Sequence, residues 1–120
     1  MERAAVDDYK LTLRKLALRD DRFIDALLRE DRASATASGI DPQAHALLRI
    51  AALIAMDAAP PSYMSAVEAG LDAGASYDEI VGTLIAVMPI VGVARVVSAA
   101  PNLGLALGYD VSAALELVDG

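Results

Sequence analysis

Asp41-Pro-Gln-Ala-His-Ala-Leu-Leu-Arg-Ile-Ala-Ala-Leu-Ile-Ala-Met56 is the stretch that decides the fold. The Asp41 carboxylate can accept hydrogen bonds from the free N–H groups of a helix start. Pro42 suits the first helical position, whose N–H has no intrahelical partner in any case. Beyond them Leu47, Leu48, Ile50, Ala51, Leu53, Ile54 and Met56 are apolar nearly all round the helix. Such a helix is expected at the centre of a bundle. Pro60 and Pro61 stop it, because a residue before proline disfavours the helical conformation. They also open a fourth helix to about Ala73, which Gly74 closes.

Downstream, Ser76-Tyr-Asp-Glu79 is a capping box, with a serine cap and a glutamate three residues on. A fifth helix follows, from Asp78 to about Met88, with Ile80, Leu84, Ile85 and Val87 apolar. Pro89 and Gly92 allow a kink or a short break. A last long helix runs from about Val91 towards Leu107, bent or divided at Pro101 and ended by Gly108. Residues 111–118 add a short terminal turn. Upstream, Val6, Tyr9, Leu13, Leu16 and Leu18 fall at mostly three- and four-residue spacings, the pattern of an amphipathic helix over 4–18. Asp20 and Asp21 start a second helix, Arg22 to Arg32, and suit its dipole. Ala33-Ser-Ala-Thr-Ala-Ser-Gly39 reads as a loop of small residues. No period-two alternation is sustained. The expected fold class is all-α: a single-domain bundle of about six helices. Its parts are a charged helical arm over 1–35, a core over 40–110 and a tail over 111–120.

Composition narrows the function. The chain has 120 residues, 56% of them hydrophobic and only 4% aromatic. So much apolar surface on a short chain predicts a homo-oligomer. No cysteine is present, which excludes thiol and disulfide chemistry. The net charge of −7 argues against nucleic acid as a partner. Residues 1–35 hold eight bases and eight acids; residues 36–120 hold nine acids and only Arg49 and Arg95 as bases. The uncharged runs Ile80 to Ala94 and Val96 to Tyr109 each fall short of a bilayer span, so no membrane segment is expected. The N-terminus is too charged for a signal peptide, and a cytoplasmic location is the expectation.

Few residues can carry chemistry. One histidine and no cysteine leave no ligand set for zinc or a di-iron site, and no cofactor motif is present. Glu68 and Asp72 stand one turn apart and read as a solvated face. His45 and Arg49 are four apart on one helix face. They form either a cationic pair able to hold a carboxylate, with His45 moving protons, or an exposed pair closed by an acid. Arg95 is the only charge between Glu79 and Asp110. In a buried helix it must meet an acid such as Asp57, Glu68 or Asp72, or face a pocket for an anionic ligand. Tyr63 and Ser98 are the nearest uncharged polar side chains for such a pocket. Asp57 needs a partner if it is buried.

Three stretches together resemble the carboxymuconolactone decarboxylase superfamily, which includes the alkylhydroperoxidase D-like proteins. They are Asp41 to Leu53, Val67-Glu-Ala-Gly-Leu-Asp-Ala-Gly-Ala-Ser-Tyr-Asp-Glu-Ile80, and Pro89-Ile-Val-Gly-Val-Ala-Arg-Val-Val-Ser-Ala99. Their order and spacing carry the resemblance, over somewhat more than half the chain. It implies an all-helical fold assembled as trimers or hexamers through apolar helices. Peroxidase-type relatives carry Cys-x-x-Cys followed by a histidine, and a glutamate on the central helix. Here that region reads Ala58-Ala-Pro-Pro-Ser-Tyr-Met-Ser-Ala66, with Ala66 about where the histidine falls and Ala46 or Leu47 near the glutamate position. Decarboxylase-type relatives also lack the cysteines and act on an anionic lactone. The resemblance therefore implies a protein without thiol peroxidase activity. One reading is a cofactor-free enzyme on a small carboxylated or lactone substrate, with Arg49 and Arg95 holding the anion and His45 or Tyr63 handling protons. The other is a non-catalytic oligomeric scaffold or small-molecule binding protein.

Overall fold

Local chemistry starts and stops the helices of the computed structural model, which describes the backbone of residues 2–119 and the side chains of residues 9–117. The side chain of Val6 lies outside the described residues. Eight helices and no strand are present among the described residues. The chain divides into two units, Met1–Ile40 and Asp41–Gly120.

In the first unit, α1 (Glu2–Ala17) ends where Arg19 turns into the left-handed conformation at φ 54°. The Asp20 carboxylate then caps α2 (Asp21–Leu28) by accepting from the Phe23 N–H at 3.1 Å. The Lys15 ammonium stands 5.2 Å from the centre of the Phe23 ring, within reach of its π face. The segment expected as a loop is helical: α3 spans Asp31–Ser38 and only Gly39 breaks it, at φ 67°. Its three alanines favour helix. Its last serine bonds locally, its hydroxyl donating to the Ala35 carbonyl at 2.8 Å and accepting from the Ile40 N–H at 3.1 Å just past the helix end. No residue of α2 or α3 is buried.

In the second unit, α4 (Pro42–Ala55) is capped by Asp41 as expected, its carboxylate accepting from the N–H groups of Gln43 and Ala44. Then come α5 (Pro60–Asp72), α6 (Tyr77–Val91), α7 (Val93–Ala106) and α8 (Val111–Asp119). Pro89 and Pro101 sit inside helices without dividing them, and Gly92 makes the break between α6 and α7. The terminal turn is a nine-residue helix. This helix and α3 account for the difference between eight elements and the expected six.

Helix α4 packs on α5 and α6, and α7 packs on the same two, so α4 and α7 take opposite corners of a four-helix arrangement. Ile50, Ile54, Tyr63, Val67, Ile80, Ala99 and Leu103 fill its centre. The start of α6 is tied to the start of α4. The Ser76 hydroxyl accepts from the Glu79 N–H, the Glu79 carboxylate accepts from the Ser76 N–H, and its other oxygen accepts from the Gln43 amide at 2.7 Å. Removing the cap by Ser76→Ala is expected to lower stability by about 1 kcal/mol. Urea unfolding at one protein concentration checks this; an unchanged midpoint would mean that the box contributes nothing.

Candidate functional site

The candidate residues singled out from the sequence fall in four places. His45, half-buried, and Arg49, exposed, lie one turn apart on the outer face of α4. The same face presents Leu48, Ala52 and Met56, all exposed. Neither His45 nor Arg49 is in an ion pair among the described residues.

Asp57, Tyr63 and Ser98 meet at the turn between α4 and α5. Two backbone bonds close that turn, from the Ala58 N–H to the Leu53 carbonyl and from the Asp57 N–H to the Ile54 carbonyl. This places Asp57 at the left-handed position usually given to glycine, at φ 53°. Aspartate tolerates that conformation better than most residues. Its carboxylate accepts from the Ser98 hydroxyl at 2.9 Å, which ties α7 to the turn. Asp57 is thus exposed and partnered. The Tyr63 ring is fully buried, and its hydroxyl donates to the Leu53 carbonyl at 3.1 Å. Burial raises its pKa above the ordinary value, the Asp57 charge adds to the rise, and a backbone hydrogen bond with Ala58 opposes it. The phenol is neutral at physiological pH and its proton is already committed inside the core.

Arg95 departs from expectation. It is exposed, one turn before Ser98, while Val96, Ala99 and Leu103 form the buried side of α7. It makes no ion pair with Asp57, Glu68 or Asp72. Its neighbours are uncharged because α7 exposes apolar residues, not because the helix is buried. Glu68 is exposed on α5.

A groove of about 410 Å³ opens elsewhere, between the start of α6 and the end of α7. Leu84, Ala100, Leu103 and Leu107 line it, with Tyr77, Asp78, Val81, Gly104, Tyr109 and Val111. None of the candidate site residues His45, Arg49, Asp57, Tyr63, Glu68, Arg95 and Ser98 is among them. A tertiary meeting of three segments builds this groove, and no local motif announces it. The one signal was Gly104: a Cβ there would stand 2.9 Å from the Tyr109 carbonyl oxygen and 3.0 Å from a Val111 methyl. The glycine lets the 109–111 turn close against α7. No cluster of three or more His, Cys, Asp or Glu able to hold a metal is present among the described residues. No described helix is long and apolar enough to cross a membrane. No protein-family model matches this chain, and no curated protein or solved structure matches it either.

Proposed function

We propose that this chain is a homo-oligomeric, non-thiol small-molecule-binding protein of the carboxymuconolactone decarboxylase-like kind. It holds a small carboxylated ligand at the His45–Arg49 pair. One observation carries the assembly: Ile85, Ile90, Val93, Val97 and Leu105 of α6 and α7, none of them in the lining of the groove, are between 50% and 88% exposed. A monomer rarely leaves so many large apolar side chains of adjacent helices in water. Support for the anion comes from Arg49, a cation without a carboxylate partner beside apolar side chains, where a ligand carboxylate could form a charge-assisted pair. The binding reading is preferred to catalysis because the Tyr63 hydroxyl is committed in the core. The decarboxylase-like enzyme is the second reading. It rests on His45, a half-buried proton carrier one turn from Arg49.

Light scattering during size exclusion tests the assembly. The wild type is expected to be oligomeric, and Ile85→Glu with Val97→Glu to be monomeric with unchanged helicity. Both positions are exposed in the single chain, so the added charges leave its packing alone. A monomeric wild type at tens of micromolar overturns the assembly. Thermal shift with small dicarboxylates and lactones tests the ligand: a shift lost in Arg49→Ala and kept in Arg95→Ala is expected. No shift from any compound counts against the binding reading, and turnover abolished by His45→Ala would favour the enzyme.

A further inference from the structure

We propose that the groove between α6 and α7 binds a small apolar molecule bearing one positive charge, such as a primary arylalkylamine. Its volume of about 410 Å³ falls in the range of small-molecule sites. Leu84, Ala100, Leu103 and Leu107 give an apolar wall that a strongly hydrated ligand would not displace water from. The chemistry of recognition is at the rim. Asp78 is the one charged residue of the lining, and it is in no ion pair among the described residues. Neither Arg49 nor Arg95 reaches the lining. Asp78 and Glu79 share the first turn of α6, which makes the helix start net negative despite a dipole charge of roughly +0.5 there. Tyr77 and Tyr109 add two aromatic rings, whose faces attract a cation. An ammonium beside Asp78 would gain a charge-assisted hydrogen bond, and an anion would meet repulsion. This site is separate from the His45–Arg49 face and asks for the opposite charge, so it stands or falls independently of the ligand proposed there.

The test is an amide-shift NMR titration of the full chain with 2-phenylethylammonium. Its neutral and anionic matches are 2-phenylethanol and 3-phenylpropionate. The ammonium is expected to move the amides of Tyr77, Val81, Leu103 and Tyr109, and to bind about tenfold more tightly than the alcohol, with the propionate weakest. Asp78→Asn should bring the ammonium down to the level of the alcohol, and Asp78→Glu should keep most of the preference. The comparison of the three probes on the wild type decides the matter even if Asp78→Asn disturbs the helix start. Equal binding of all three probes, a preference for the propionate, shifts confined to residues away from the groove, or no shift at millimolar ammonium would each overturn the proposal.

Discussion

Ile50→Ala is expected to remove about 3–4 kcal/mol of stability, within the usual range for truncating a buried isoleucine. The side chain is fully buried on α4. Its Cδ1 lies 3.7 Å from the point where a Cβ on Gly70 would stand, and the Cδ1 of Ile80 lies 3.6 Å from the same point. The two isoleucines therefore fill the space that Gly70 leaves open, where α4, α5 and α6 meet. Glycine has no side chain with which to close a new cavity, so relaxation around the truncation is limited. A domain of this size holds only about 5–15 kcal/mol in total, and the loss is a large part of it. Urea unfolding should show the midpoint falling with the slope unchanged, at one protein concentration because assembly adds to apparent stability. A loss under about 1 kcal/mol would mean that the three helices do not close on this side chain.

The helix starts were legible because they are written in single side chains. Asp41 with Pro42, Pro60, and Ser76 with Glu79 each supply a local hydrogen-bonding or φ constraint that tertiary packing does not override. The segment Ala33–Ser38 differs from expectation for the complementary reason. Its serines and threonine suggest a loop, but its alanines carry the helix, and only Gly39 at φ 67° breaks it. The break expected around Pro89 and Gly92 falls at Gly92, with Pro89 inside α6, and Pro101 does not divide α7.

The candidate site was less legible. The pairing of Asp57 with Ser98 joins residues 41 apart, and no spacing rule reaches that far. For Arg95, apolar neighbours in sequence suggest a buried helix, which equates apolarity with burial. Val93 and Val97 are exposed, and this equation fails wherever a chain carries an apolar outer face. The buried set Val96, Ala99 and Leu103 does follow a helical period, at three and four residues, and it leaves Arg95 outside. What the sequence lacked was a way to choose between two apolar stripes on one helix. Charge normally makes that choice, and α7 carries a single charge.

Tyr63→Ala is expected to cost about 3–5 kcal/mol, the usual range for losing a fully buried aromatic ring, whereas Tyr63→Phe should cost only about 1 kcal/mol. The small second value follows from the acceptor. The Leu53 carbonyl still receives the Ala58 N–H at 3.1 Å when the phenol is gone, so no buried group is orphaned. pH separates the two variants further. Burial, with Asp57 assisting, raises the folded-state pKa of Tyr63 above its ordinary value of 10.0. The fold therefore favours the neutral phenol. That contribution is fully present below about pH 10 and is lost as pH climbs through the higher folded value, because the unfolded chain ionises first. The wild type should lose this part of its stability in alkali and Tyr63→Phe should not, so the gap between them narrows from pH 8 to pH 11. A constant gap would mean that the phenol is not held neutral by its surroundings. The same phenylalanine variant also separates structure from function. If it keeps the dicarboxylate thermal shift of the wild type, the hydroxyl serves the turn between α4 and α5. If the shift disappears while the fold stays within about 1 kcal/mol, the hydroxyl reaches the ligand, and the enzyme reading regains its second proton carrier.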